Sequence, residues 1–349
     1  MRIALDATYS VDSHPSGIAV YSQELLTGLA DRHPLDTFQF AYRWKQFRHA
    51  PRPVQRNVKR RLLMPPLPTV RAEIFHALNQ RLDSRPARRT VSTFHDLFVI
   101  TAEYSSKEFR QRFTEQAKRA AANSDRIVAV SEFTASQVTS LLGFDRARIH
   151  VIPHGVRVPA HAKNTEAENR EHMILFVGAI QHRKNVVRLV EAFERLPNDW
   201  RLVLAGSTRG YGADNVLKRI EASRACERIQ VLGYVDNPQL DRLYRRASIF
   251  AFPSLDEGFG IPVLEAMARG TPVLTSDRSS LKEVAGDAAL LIDPGDVDGI
   301  EEALARLISN PDLTADLSAR GLARSKDFSW ERAVEATYDL YRALRNSEL

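Results

Sequence analysis

Short apolar runs alternate along the chain with longer amphipathic stretches. Runs of strand type stand at residues 2–7, 38–42, 73–77, 90–94, 126–130 and 150–152, separated by segments of helical character such as 105–122. A second set follows at 173–177, 202–205, 229–232, 249–252, 273–275 and 289–292. Strands that alternate with helices predict parallel sheets covered on both faces, so the expected fold class is α/β with two doubly wound, Rossmann-like domains. The polar stretch 161–172 lies between the two sets and reads as a linker, which divides the chain into 1–165 and 166–330. A last amphipathic helix over about 330–345 carries Ala333, Ala336, Tyr338, Tyr341 and Leu344 on recurring turns. Ligands of open α/β sheets gather outside the carboxyl ends of the strands, so a cleft between two facing domains is the expected site.

Composition adds limits. At 349 residues the chain is longer than one core usually supports. No apolar run approaches the eighteen or so residues needed to span a bilayer. The opening "MRIALDATYS" enters a strand directly, without a charged-then-apolar leader, and the single cysteine, Cys226, suits a reducing cytoplasm. Charge is uneven: the chain nets +6, yet residues 1–165 hold 25 Lys and Arg against 14 Asp and Glu. The excess concentrates at 42–61, where Arg43, Lys45, Arg48, Arg52, Arg56, Lys59, Arg60 and Arg61 occur with no acid between them, interleaved with Trp44 and Phe47. Such a stretch fits peripheral contact with an anionic membrane or a lipid-phosphate acceptor, or else a solvated loop. No nucleic-acid motif accompanies it.

The sharpest chemical signal is "EGFGIPVLE", which sets Glu257 and Glu265 eight positions apart between an apolar strand and a helix. Pro253, Gly258 and Gly260 end the strand in a loop, Pro262 starts the helix and Gly270 stops it. Backbone N–H groups at a helix start, approached through glycines, favour a phosphate. Carboxylates beside a phosphate must point elsewhere, and the hydroxyls of a ribose and a sugar are natural partners. Arg183 and Lys184 follow the strand 173–177 at its carboxyl end, with Gly178 at the turn, and place two cations where a phosphate can be met.

Six segments in one order carry a resemblance: "FHD" at 94–96, "VIPHGV" at 151–156, "VGAIQHRKN" at 177–185, "LGYV" at 232–235, "PSLDEGFGIPVLEAMARGTPV" at 253–273 and "FSW" at 328–330. Together they resemble the retaining nucleotide-sugar glycosyltransferases of family four, which have the GT-B fold. The resemblance covers the chain from about residue 90 onward. It implies that the first domain binds acceptor, that the second binds the nucleotide-sugar donor, and that the C-terminal helix, about 331–349, returns to the first. It further implies that Glu265 holds the ribose hydroxyls and that Glu257 holds hydroxyls of the transferred sugar. Phe259 and Gly260 would add N–H groups to the diphosphate, Gly17 would approach it from the first domain, and Tyr234 and Val235 would line the base pocket. His95 would touch the donor sugar, with Asp96 orienting it.

Ala179, His182 and His154 depart from the commoner pattern, which has arginine, proline and asparagine there. The "RKN" form resembles the branch that includes mannosyl- and rhamnosyltransferases of surface-polysaccharide assembly, which makes GDP-mannose the leading donor ahead of UDP-sugars. No cofactor or metal is expected, since two cations supply the phosphate charge and "DVD" at 296–298 sits in a loop beside Pro294 and Gly295. "GSTRGYG" at 206–212 reads as a flexible loop. The expectation is a retaining hexosyltransferase at the cytoplasmic face of the membrane, acting on a glycan or lipid-linked acceptor. An epimerase of the same fold and a non-enzymatic sugar-nucleotide-binding partner are the alternatives.

Overall fold

The computed structural model describes residues 1–11, 16–64, 69–157 and 170–346. The chain forms two compact units, Met1–Gly155 with Ser329–Leu349, and Val156–Phe328. The expected division at 165 falls in 158–169, outside the described residues.

In the first unit seven strands pair in parallel: β1 (Arg2–Asp6), β2 (Thr37–Tyr42), β3 (Val58–Leu62), β4 (Ile74–Ala77), β5 (Arg89–Phe94), β6 (Arg126–Ala129) and β7 (Ile149–Val151), in the order β3-β2-β1-β4-β5-β6-β7. The path moves outward from β1 to β3 and then crosses to β4, so the winding reverses between β1 and β4. Helices α1 (Gly17–Arg32), α2 (Trp44–His49), α3 (Phe98–Thr101), α4 (Lys107–Ala122) and α5 (Glu132–Leu142) connect the strands. Serine side chains cap three of these helices: Ser16, Ser106 and Ser131 accept N–H groups at the starts of α1, α4 and α5. The C-terminal helix Trp330–Asn346 packs on α1, and its Trp330, Val334, Tyr341 and Leu344 share one apolar core with Tyr21, Leu25 and Leu29.

The basic stretch 42–61 is not a plain loop. It contains α2 and part of the edge strand β3, where Val58 turns inward while Lys59 and Arg61 face solvent. Arg60 lies 4.4 Å from the Phe47 ring centroid and donates to the Ala50 carbonyl at 2.6 Å. Charges along an edge strand also discourage pairing with another chain.

The second unit repeats the plan with β8 (Glu171–Val177), β9 (Arg201–Ala205), β10 (Ile229–Gly233), β11 (Ala247–Phe252), β12 (Val273–Ser276) and β13 (Leu290–Ile292), all parallel, in the order β10-β9-β8-β11-β12-β13. The connections carry α6 (Val186–Phe193), α7 (Ala213–Glu221), α8 (Asn237–Arg246), α9 (Ile261–Met267) and α10 (Ser279–Ala285), and α11 (Val297–Ser309) and α12 (Pro311–Ser325) close the unit. Here the winding reverses between β8 and β11. Arg170, just before β8, donates to the carbonyls of Ala247 at the start of β11 at 2.6 Å and of Gly270 beyond α9 at 2.9 Å. Among the described residues no helix is long and apolar enough to cross a membrane.

Candidate functional site

The reversal between β8 and β11 brings two loops together at the carboxyl ends of those strands, where open parallel sheets bind their ligands. After β8 the chain makes a 3-10 turn at His182–Lys184 and enters α6 through Asn185, whose φ of 59° is left-handed. The Asn185 amide donates to the carbonyls of Pro253 at 3.0 Å and Pro294 at 2.6 Å. Leu255 N–H donates to the Arg183 carbonyl at 2.9 Å, which fixes the turn against the loop after β11.

One carboxylate oxygen collects the charge. Glu257 Oε1 accepts from Lys184 Nζ at 2.6 Å and from Ser254 Oγ at 2.6 Å, and it lies 2.8 Å from Arg183 Nη1. Arg183, Lys184 and Glu257 are 7%, 8% and 8% exposed, so solvent screens them little. Burial alone would raise the Glu257 carboxyl, but the charges of Arg183 and Lys184 outweigh it and hold the group at about 2. Lys184 Nζ also sits 4.5 Å from the Phe252 ring centroid, and Arg183 donates to the Asp256 carbonyl. The Glu257 backbone is pinned as well, its N–H to Ser279 Oγ at 3.1 Å and its carbonyl to Ser280 Oγ at 2.7 Å. The sequence signals Arg183, Lys184 and Glu257. It gives no local sign of Ser279 and Ser280, which reach the site only because β12 folds between, and Ser254 shows only as the third residue before Glu257.

The stretch 206–212 belongs to this region and is not a loose loop. Ile180 N–H donates to the Ser207 carbonyl at 2.8 Å and His182 N–H to the Tyr211 carbonyl at 2.9 Å. Gly206 has φ +147°, and a Cβ there would stand 2.0 Å from the Gly178 carbonyl oxygen. Gly206→Ala is therefore expected to destabilise the second unit by about 1–3 kcal/mol through the backbone term alone, with more from the clash. A urea midpoint equal to that of the parent protein would contradict this packing.

The remaining expected residues of the second unit lie around this group. Gly260 caps α9 with φ +105°, and the helix starts at Ile261, one residue before Pro262. Phe259 is buried edge-on to Phe328, with ring centroids 5.8 Å apart. Glu265 lies within α9, half-buried, and accepts from the Tyr244 hydroxyl at 2.9 Å. Burial raises its carboxyl, against the lowering charge of Arg269. Gly178 follows β8 directly, and Tyr234 and Val235 follow β10, with Tyr234 half-exposed at 50%. Asp296 caps α11 through the Asp298 N–H, and Asp298 pairs with Arg195, so the "DVD" segment has structural partners.

Gly17 and His95 lie in the first unit. Gly17 opens α1, behind the Ser16 cap. His95, followed by Asp96, emerges from β5 and is 6% exposed. Its Nε2 donates to the Leu78 carbonyl at 2.9 Å, because a carbonyl can only accept. Nδ1 is then the acceptor of the neutral ring and faces His154 Nε2 at 3.4 Å, with the two rings stacked at 5.3 Å. Tyr21 sits edge-on to both rings. Burial lowers His95 to about 4 and His154 well below the usual range.

Sucrose-phosphate synthase from Thermosynechococcus elongatus superposes with a TM-score of 0.79 over 99% of both chains at 20% identity. Anabaena Alr3699/HepE in complex with UDP-glucose does so with 0.74 over 98% of this chain and 100% of that one, at 17% identity. The chain thus has the GT-B fold of glycosyltransferases. In sequence, the model of glycosyl transferases group 1 matches residues 158–324 and that of glycosyltransferase family 4 matches 15–158. The O-antigen chain mannosyltransferase B of Escherichia coli is 35% identical over 289 residues, 78% of this chain and 74% of that protein. The chain belongs to the retaining glycosyltransferases of family four. These matches give the epimerase alternative no support.

Proposed function

We propose that the chain transfers a mannosyl group from GDP-mannose to a glycan or lipid-linked acceptor during surface-polysaccharide assembly. The Arg183–Lys184–Glu257 cluster at the β8–β11 reversal carries this reading, and the similarity to a mannosyltransferase of O-antigen chains favours the sugar. The second unit takes the donor and the first the acceptor. Arg183 and Lys184 meet the diphosphate, with N–H groups at Phe259 and Gly260 and the turn at Gly178 beside them. Glu265 takes the ribose hydroxyls, and Tyr234 and Val235 the base. Gly17 and His95 keep the parts that the family resemblance implies. Glu257 holds sugar hydroxyls and orients the two cations. A carboxylate whose charge two cations already take up is a weak nucleophile, which favours attack on the same face as the departing diphosphate, with that phosphate accepting the acceptor's proton. The first unit's basic surface supports peripheral attachment to the inner face of the membrane.

Thermal shift with nucleoside diphosphates and their sugars tests the donor. A ligand at 100 times its dissociation constant stabilises the folded protein by about 2.7 kcal/mol. GDP and GDP-mannose are expected to raise the melting temperature more than UDP and UDP-glucose do. Mannose release onto a lipid-linked oligosaccharide extract, absent with the donor alone, completes the test. A larger shift with the uridine compounds would overturn the donor assignment, and donor binding with no transfer to any acceptor would overturn the enzymatic one.

A further inference from the structure

The first unit has its own reversal point, between β1 and β4, and the loops beyond the carboxyl ends of β1, β2 and β4 border a solvent-open pocket of about 450 Å³. That volume falls in the range of small-molecule sites, about 300–1,000 Å³. Thr8, Arg43, Trp44, Lys45 and Arg81 line it. Asp83 lies 3.2 Å from Arg43 and 3.8 Å from Arg81, and the charges of both arginines also reach the buried Asp6, whose carboxyl burial raises above its ordinary range. Lys45 has no ion pair among the described residues. Arg43 Nε is buried and without a hydrogen-bond partner among the described residues, and its backbone N–H is fixed to Thr8 Oγ1 at 3.2 Å. Trp44 is 56% exposed; the Arg48 guanidinium lies 5.2 Å from its ring centroid and covers one face, which leaves the other face of the indole beside these cations.

We propose that this cavity binds a phosphate-bearing saccharide, with the phosphate on Arg43, Lys45 and Arg81 and the sugar's apolar face on Trp44. Guanidinium and ammonium groups converging on one space match a phosphate, which supplies several acceptor oxygens at once. A flat, exposed ring offers apolar area that a pyranose covers with its C–H face while its hydroxyls stay wet. The ligand is then the phosphorylated part of the acceptor; that name rests on the transferase reading above, whereas the cavity and its cations do not.

Mannose 6-phosphate is the probe, titrated calorimetrically into the full chain beside mannose, inorganic phosphate and GDP. Mannose 6-phosphate is expected to bind at least tenfold more tightly than mannose or phosphate. Lys45→Ala and Trp44→Ala are each expected to weaken it by about tenfold, with GDP affinity unchanged. Equal affinity for phosphate and mannose 6-phosphate would overturn the saccharide contact, and unchanged affinity in both variants would overturn the site. Loss of mannose 6-phosphate binding in Lys184→Ala but not in Lys45→Ala would place it at the donor cluster and also overturn the site. Phosphatidylglycerol vesicles form the last arm: sedimentation that depends on Lys45, with no binding of mannose 6-phosphate, would give the cations to a lipid surface instead. Failure of GDP to bind while mannose 6-phosphate binds would strike the proposed donor and leave this site standing.

Discussion

Lys184→Ala is expected to slow sugar transfer by about 10²–10³-fold, or roughly 2.7–4 kcal/mol, with the loss mostly in kcat. Lys184 Nζ is buried, 2.6 Å from Glu257 Oε1, and cannot be replaced by a mobile surface cation or by water at the same position. Its charge matters most when the departing diphosphate gains charge, so the ground state loses less than the transition state. Arg183 stays 2.8 Å from the same oxygen, so the carboxylate keeps one partner and the fold should lose less than the 3–5 kcal/mol typical of a fully broken buried pair. Initial rates beside a urea midpoint separate the two effects. An unchanged kcat would remove Lys184 from the mechanism.

Glu257→Gln gives the complementary result, with opposite signs in binding and in rate. The carboxylate now neutralises part of the charge that a diphosphate would meet. Its removal should tighten GDP binding by about tenfold, a change of about 1.4 kcal/mol, while transfer falls because the two cations and the sugar lose their common anchor. Weaker GDP binding in this variant would show that Glu257 supports the phosphate site chiefly by holding Arg183 and Lys184 in place.

The strands were legible because parallel strands buried on both faces read as short continuous apolar runs, and twelve of them show in the sequence with ends near those observed. β3 escaped because Lys59, Arg60 and Arg61 mask its alternation at a sheet edge, where one face meets solvent. The cation–carboxylate cluster was half legible. Arg183, Lys184 and Glu257 could be placed at strand ends, but their mutual contact depends on which strands neighbour each other, and sequence order puts β9 and β10 between β8 and β11. The stretch 206–212 was misjudged because its glycines read as freedom, whereas Gly206 is there to let its backbone approach the Gly178 carbonyl. The histidines of the first unit gave no sign of their grouping, since positions 76, 95 and 154 lie on separate loops and strands.

That grouping sets the response of the first unit to pH. His76 bridges the Tyr341 hydroxyl at 2.5 Å and Thr93 Oγ1 at 2.8 Å, and Thr93 in turn meets the Tyr21 hydroxyl at 2.9 Å, so the C-terminal helix is joined to β4, β5 and α1 through one buried polar chain. Burial, with the nearby His95, lowers His76 to about 3. His76, His95 and His154 are thus neutral in the folded protein and protonate in the unfolded chain near 6.5. The unfolded state binds more protons below that value, so stability falls as pH drops from 6.5 toward 4, by up to roughly 4 kcal/mol per pH unit for three groups. Half-buried His150, lowered by burial and by Arg126 and Arg146, adds a smaller effect of the same sign. Glu257 acts lower, its contribution present above 4.5 and lost toward 2. Asp6 works the other way, since burial raises it above 3.8 and the folded state then holds the extra proton. His154→Asn isolates one histidine and leaves these other groups in common. Its loss of stability should be shallower than the parent's by about 0.7 kcal/mol per pH unit at pH 6.5, growing to about 1.4 near pH 5. Urea titrations at four pH values in that interval measure the difference, and parallel lines for the two proteins would mean that His154 is not held neutral by its burial.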